Sequence, residues 1–274
     1  MIKLQEEVED KIKCLLCPNY CILGDKEIGS CRVRTNRNGT IELNSYGIIS
    51  SMAVEPIEKK PITNYLQGTK TLSLGGISCS LFCPFCENFK ISQKGEMEKL
   101  NFYSPQKIVE IAKEYSCPSI CMTYNEPTIS YEFLIDLAEE AHKNDLKFII
   151  KTNGYINDEP WKEICKVVDC VNLDFKGDYD FYYIAGAKRV VILSRIKEAY
   201  DLGVHVEISI PLHDDMSFDI IRAFSIFIRK IDKDIPLHLL KIYSAFKHKN
   251  TTSDDFINRA KEYLGKYHSN VTLH

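Results

Sequence analysis

No run in this 274-residue chain approaches the roughly 20 consecutive apolar residues that a membrane-crossing helix needs. The N-terminus, Met1-Ile2-Lys3-Leu4-Gln5-Glu6-Glu7-Val8-Glu9-Asp10, is acidic and lacks the apolar stretch of a secretory signal. Neither a membrane partner nor export is expected, and the chain reads as cytoplasmic. An excess of one charge is also missing: 35 Lys and Arg face 38 Asp and Glu, a formal net charge of −3. That balance gives no electrostatic reason to expect a nucleic-acid partner. No internal repeat, heptad array or low-complexity tract competes with a globular reading. The remaining composition, 45% hydrophobic and 27% charged, is that of a globular enzyme with one large domain and a small appendage.

Cysteine, by contrast, is abundant. Eleven cysteines in a chain without a secretory signal favour metal ligation over disulfides. Three of them, Cys79, Cys83 and Cys86, stand in Gly75-Gly76-Ile77-Ser78-Cys79-Ser80-Leu81-Phe82-Cys83-Pro84-Phe85-Cys86-Glu87-Asn88, directly after a strand-like segment. Three thiolates on a short loop can each take one iron of a cubane [4Fe–4S] cluster, which leaves the fourth iron open. A zinc knuckle or three buried thiols is the competing reading. Zinc in a closed site wants four ligands, and no fourth Cys or His is close in sequence. A second group, Cys14, Cys17, Cys21 and Cys31, is accompanied by Gly24 and Gly29, which permit tight turns. Four thiols in so short a span suit a second metal centre, either structural zinc or an auxiliary [4Fe–4S] cluster. Cys117, Cys121, Cys165 and Cys170 lack ligand spacing to one another and read as buried small hydrophobes.

Residues 1–68 therefore read as a Cys-rich metal-binding segment with short strands, closed by the connector Pro56-Ile57-Glu58-Lys59-Lys60-Pro61. From Thr71 onward, short β-branched runs alternate with helical patterns. Strands are predicted at about 71–75, 119–124, 147–152, 168–174, 204–210 and 237–242. Helix starts are signalled by Ser104-Pro105, Thr128, Asp158-Glu159-Pro160, Val190, Ser217 and Ser253. Residues 69–274 thus predict an α/β fold, a partial (βα)6 TIM-like barrel with its chemistry at the strand C-terminal ends. Strand alternation puts Asp174 and Lys176 on one face, the lumen. Tyr124, Tyr155 and His213 are candidates for hydrogen donation or proton transfer. Lys247-His248-Lys249 reads as a solvated loop.

The triad, with aromatic Phe82 and Phe85 before its later cysteines, resembles the radical S-adenosylmethionine (SAM) superfamily. Thr123-Tyr124-Asn125-Glu126-Pro127-Thr128 is similar to the family's Gly-Gly-Glu-Pro position, and Thr152-Asn153-Gly154-Tyr155 to the Thr-Asn-Gly signature of activase-like members. The linear order, from Cys14-x2-Cys17-Pro18-x2-Cys21 and Gly29-Ser30-Cys31-Arg32-Val33-Arg34 through Leu173-Asp174-Phe175-Lys176, resembles the AmmeMemoRadiSam-system radical SAM enzymes and, more distantly, pyruvate formate-lyase activating enzymes. The resemblance implies that SAM binds the open iron and is reductively cleaved to a 5′-deoxyadenosyl radical, which abstracts hydrogen from an organic substrate. Peptide or protein is the expected substrate class, with a small metabolite as the alternative and a non-catalytic metal-binding regulator or scaffold as the rival from another class. A one-electron donor such as ferredoxin or flavodoxin is implied, as is an anaerobic cell. Gly75, Gly76, Asn88, Glu126, Asn153, Asp174 and Lys176 are the implied cofactor-binding residues, Glu126 facing the methionyl ammonium. Two departures stand out. The turn expected as Pro-Gly-x-Asn-Asp is Pro211-Leu212-His213-Asp214-Asp215 here, and the chain reaches His274 without the longer tail expected of relatives.

Overall fold

Seven short runs in the first 56 residues form strands, and the first five of them pair with partners close in sequence. A computed structural model describes residues 3–93, 100–188, 190–213 and 216–274. Strands β1 (Gln5–Val8), β2 (Lys11–Cys14) and β3 (Ile22–Leu23) form an antiparallel sheet, and β4 (Arg34–Arg37) and β5 (Thr40–Leu43) a hairpin around Asn38-Gly39. Next come β6 (Ile48–Ile49) and β7 (Ser51–Pro56). The main sheet continues with β8 (Lys70–Gly75), followed by α1 (Phe89–Ser92) and β9 (Asn101–Phe102), which pairs with β6.

Helices and strands then alternate: α2 (Pro105–Glu114), β10 (Ser119–Met122), α3 (Tyr131–Lys143), β11 (Lys147–Thr152), α4 (Asp158–Val167), β12 (Cys170–Asp174). They end with α5 (Tyr179–Ile184), α6 (Ile192–Asp201), β13 (His205–Leu212), α7 (Phe218–Ile231), β14 (Leu237–Lys241), α8 (Asp254–Gly265) and β15 (Val271–Leu273). The eight-stranded sheet runs β7-β8-β10-β11-β12-β13-β14-β15 and does not pair its two edges. All neighbours from β8 onward are parallel, whereas β7 is antiparallel to β8. This is the expected partial barrel, with the six predicted strands in place. Two edge strands, β7 and β15, extend it beyond the expectation, and residues 51–56 of the N-terminal segment supply one of them.

Helix starts follow the predicted caps. Ser104, Ser217 and Ser253 each accept a backbone N–H of the first turn, from Lys107, Asp219 and Phe256, a contribution of about 1 kcal/mol apiece. A 3₁₀ turn at Pro127–Ser130 precedes α3, and α5 was not foreseen. Cys117, Cys121, Cys165 and Cys170 are all buried, as expected.

The segment read as a connector is a plug. Ile57 and Ile62 are fully buried against Cys121, Ile149 and Cys170 of the lumen. Asn172 Nδ2 donates to the Pro61 carbonyl at 2.6 Å. The Glu207 carboxylate accepts the backbone N–H groups of Thr63 and Asn64, both at 2.9 Å, and it also meets His205 Nε2 at 2.9 Å and His238 Nε2 at 2.6 Å. Burial alone would raise the Glu207 carboxyl, but the bonds from His205, His238, Thr63 and Asn64 hold it down at about 2. A depressed folded value means stability that is present above the unfolded value and lost as pH falls through the folded one. Glu207→Gln should therefore cost about 3 kcal/mol near neutral pH. The gap to the natural protein should close between about pH 4.5 and pH 2. Denaturant unfolding across that window checks it, and a gap that does not narrow on acidification refutes it.

Candidate active site

Cys79, Cys83 and Cys86 line one cavity of about 520 Å³ at the C-terminal ends of the central strands, together with Tyr124, Glu126, Asn153, Asp174 and Lys176. That volume suits a small-molecule or cofactor site. A larger hollow of about 710 Å³, bordered by Val54, Lys70 and Pro118, holds no thiol and none of the predicted site residues. Among the described residues no three His, Cys, Asp or Glu side chains converge where a single metal ion would sit. A multi-iron group makes a different demand, since each thiolate takes its own iron. Burial pushes the Cys79 thiol well up and the Cys83 thiol up to about 11 in spite of Lys176, and it raises Cys86 as well. The metal-free thiols are thus protonated, and ligation must displace those protons.

Glu126 is 1% exposed. Its Oε1 accepts from the Thr128 N–H at 3.0 Å, Thr128 Oγ1 at 2.7 Å and Thr152 Oγ1 at 2.6 Å, while Oε2 accepts the Asn153 N–H at 2.8 Å. Burial nonetheless keeps its carboxyl above the usual range. The side chain ties the loop after β10 to the end of β11. Asn153 Nδ2 points at the Cys79 sulfur, 3.6 Å away, and at Ser80 Oγ, 3.2 Å away. Gly154 turns the chain there with φ 65°, and a Cβ would lie 2.6 Å from Ile192, so only glycine fits.

Asp174 lies between two ammonium groups, Lys151 Nζ at 2.5 Å and Lys176 Nζ at 2.7 Å. Lys151 also donates to Asn172 Oδ1 and Ser209 Oγ, both at 2.9 Å. Burial would raise Asp174, but the two lysines outweigh it and hold the carboxyl down. Burial draws Lys151 downward, whereas the Asp174 charge outweighs burial at Lys176 and raises it. Two cations against one anion leave a surplus positive charge facing the cavity.

Tyr124, with φ 66°, donates to Glu55 Oε2 at 2.6 Å and lies beneath Lys60, whose Nζ is 4.3 Å from the ring centroid. Lys60 also pairs with Glu55. A Cβ on Gly75 would press on the Tyr124 ring at 3.1 Å, and the Gly76 N–H donates to Asn125 Oδ1 at 2.9 Å. Asn88 lines the cavity and is exposed. Sequence reasoning passed over Glu55, Lys60 and Lys151. Lys151 had a signal, since it lies two residues from the buried Ile149 on the same luminal face of β11.

Tyr155 and His213 lie elsewhere. Tyr155 is 1% exposed and its hydroxyl reaches Asn19 Oδ1 at 3.3 Å. His213 is buried near the rings of Phe85 and Phe181, with Nε2 3.3 Å from the Lys176 carbonyl. Neither lines the cavity. Strand β13 runs on through Leu212, so the missing glycine corresponds to a longer strand, and Asp214 and Asp215 fall outside the described residues. The Lys247–Lys249 loop is docked rather than free: the Lys247 and His248 N–H groups both donate to the Pro84 carbonyl inside the triad loop, at 2.9 and 3.0 Å. Cys14, Cys17, Cys21 and Cys31 line a pocket of their own beside Arg34. Arg34 is 1% exposed and forks onto Glu132 of α3, Nη1 to Oε1 at 3.0 Å and Nη2 to Oε2 at 2.5 Å.

A triad loop leaving the first parallel strand, with polar strand ends around it, is matched by sequence: residues 76–225 fit the radical SAM superfamily. The chain belongs to that superfamily. It is 36% identical over 248 residues to the uncharacterized protein MJ0808 of Methanocaldococcus jannaschii, covering 88% of this chain and 74% of that one. Its fold resembles Streptococcus suis SuiB bound to S-adenosylmethionine (TM-score 0.57, 16% identity, 72% of this chain and 48% of that one). It also resembles QueE from Escherichia coli (TM-score 0.52, 15% identity, 83% and 93%). The chain spans about half the length of SuiB. As a radical SAM protein it is an enzyme, which removes the scaffold alternative, and a [4Fe–4S] cluster with SAM is the cofactor pair that membership implies. The donor set fits, because among the described residues the cavity presents three cysteines and no fourth. No helix among the described residues is long and apolar enough to cross a membrane.

The charge set of this radical SAM cavity gives a direct test. Asp174→Asn leaves two buried ammonium groups without their carboxylate and should cost about 3–5 kcal/mol, as breaking a buried pair does. Lys151→Met leaves a matched Asp174–Lys176 pair and should cost clearly less. Urea unfolding of both variants decides, and equal losses would show that the surplus charge is not real.

Proposed function

We propose that Cys79, Cys83 and Cys86 hold the [4Fe–4S] cluster and that SAM binds beside it against Glu126, Asn153, Asp174 and Lys176. When bound, the cluster and SAM supply reductive cleavage to a 5′-deoxyadenosyl radical that takes hydrogen from an organic substrate. The observation that carries this reading is one cavity in which three thiols without a fourth meet a carboxylate flanked by two lysines. SAM offers an ammonium and a carboxylate, and such a mixed charge set can satisfy both. Asn153 is aimed at the Cys79 sulfur and so orients the loop, while Glu126 fixes the strand ends that face it. Tyr124 closes one wall through its pairing with Glu55.

A peptide or protein is the favoured substrate class. The motif order resembles the AmmeMemoRadiSam-system and activase-like enzymes, one of the similar SuiB structures is bound to its precursor peptide SuiA, and the unpaired sheet edges leave the barrel wall open. A small metabolite is the second reading, supported by the modest volume of the cavity. Electrons come from a ferredoxin or flavodoxin. Tyr124 is the favoured hydrogen-transfer candidate of the three, since Tyr155 and His213 are packed behind the wall. Cys14, Cys17, Cys21 and Cys31 hold a second metal centre that stabilises the N-terminal segment, and an iron–sulfur cluster fits it better than zinc, since these thiols do not converge on the position of a single ion.

Replacing Cys79, Cys83 and Cys86 together by Ala should abolish dithionite-dependent 5′-deoxyadenosine formation and remove one cluster of iron. Metal remaining in that variant identifies the second centre as zinc or as iron with sulfide. Undiminished SAM cleavage would sink the cluster assignment.

Glu126→Gln should leave cluster content unchanged and weaken SAM binding about ten- to a hundredfold, the effect of a lost charge-assisted hydrogen bond. Equilibrium binding of SAM to the reconstituted variant reads this out. Unchanged affinity would confine Glu126 to its contacts with Thr128, Thr152 and Asn153.

A further inference from the structure

Arg32 follows the last thiol of the N-terminal group, and its guanidinium holds both ends of the triad loop. Nε donates to Ser78 Oγ at 3.0 Å, Nη2 to the Ser92 carbonyl at 2.6 Å and Nη1 to the Gln93 carbonyl at 3.2 Å. Ser78 lies just before Cys79, and Ser92 and Gln93 lie after Cys86, so the three bonds bracket all three cysteines. Ser78 Oγ in turn donates to the Cys31 carbonyl at 2.7 Å, which closes a ring of contacts between the two thiol groups. The guanidinium carbon also lies 4.8 Å from the centroid of the Phe82 ring, inside the same loop. Arg32 and Ser78 both adopt left-handed backbone, φ 63° and 72°, a conformation that costs non-glycine residues energy and persists where surrounding contacts impose it.

A second route is independent of Arg32. The Ser30 N–H donates to the Cys21 sulfur at 3.4 Å, Asn19 Nδ2 donates to Ser30 Oγ at 3.0 Å, and the Tyr155 hydroxyl donates to Asn19 Oδ1 at 3.3 Å. The Tyr155 N–H donates to Asn153 Oδ1 at 2.8 Å, and Asn153 Nδ2 reaches the Cys79 sulfur. Only the Arg32 route carries charge and grips both ends of the loop.

We propose that Arg32 is a positioning residue through which the N-terminal metal centre sets the geometry and reduction potential of the SAM cluster. The proposal rests on the cluster assignment made above. A guanidinium fork directs three bonds at once, so releasing the Cys31 backbone by loss of the N-terminal metal releases the loop that carries the other cysteines. A cation beside the cluster also favours its more negative, reduced form.

The test uses the full chain reconstituted anaerobically with iron and sulfide. It reads the potential of the cluster whose paramagnetic resonance signal changes on adding SAM, and the hydrogen exchange of residues 76–93 in the metal-free protein. Arg32→Met should make that cluster about tenfold harder to reduce at fixed potential, equivalent to about 59 mV for one electron, and should speed exchange of the loop. Arg32→Lys should restore part of the potential and none of the slow exchange. Cys17→Ser, which opens the N-terminal centre, should lower the potential in the natural background and add nothing in the Arg32→Met background, the sign of a shared route. The proposal is overturned if Arg32→Met matches the natural protein in both readouts, or if Cys17→Ser acts equally in both backgrounds. Should Arg32→Met hold no cluster, Ser78→Ala takes its place in the cycle, and a Cys17→Ser effect that persists undiminished in it overturns the proposal. A natural protein that assembles no SAM-responsive cluster would overturn the functional reading itself, an outcome visible before any variant is compared.

Discussion

A carboxylate held between two ammonium groups in the barrel lumen constrains the rest of this structure. Asp174 satisfies Lys151 and Lys176 at once, and charges removed from water are tolerated only where other polar groups complete their shells. The neighbouring strands accordingly present Asn172 and Ser209 to Lys151, and Asn172 passes its amide on to the Pro61 carbonyl of the plug. Below that layer Glu207 gathers two histidines and two backbone N–H groups. The lumen is a polar column in which Glu207 is held by four donors in the lower layer and Asp174 lies between two lysines in the upper one.

The architecture was legible because local chemistry and global fold agree. The serine caps, the proline after Ser104 and the period-two runs each specify their elements within a few residues. The triad was legible because ligand spacing on a loop is a property of the chain itself. What stayed hidden depends on partners far away in sequence. Pro56 to Pro61 carries the charges and prolines of a solvated connector, yet Ile57 and Ile62 fill the barrel bottom because Cys121, Ile149 and Cys170 offer an apolar ring there. Tyr155 and His213 sit beside signature residues, but one turn of backbone sends each side chain away from the cavity. Lys151 was visible as a luminal position, whereas its pairing with Asp174 required knowing that β11 and β12 are neighbours.

Membership in the superfamily fixes the cofactors more firmly than the substrate. Solved structures of similar fold share 15–18% identity with this chain, which speaks to how strands and helices are arranged, while substrate choice lives in side chains that such distances do not preserve. Lys60 on Tyr124 and Lys151 on Asp174 line this chain's cavity, and its selectivity has to be sought among such side chains.

The fork from Arg34 to Glu132 joins residues 98 apart in sequence. During synthesis from the N-terminus at roughly 5–20 residues per second, the four N-terminal cysteines are complete for about 5–20 s before Glu132 has even been added. Throughout that interval α3 and the barrel strands that follow it do not yet exist to cover them. The order of translation thus gives the N-terminal thiols first access to metal, well before α3 arrives to seal Arg34 and the segment it anchors.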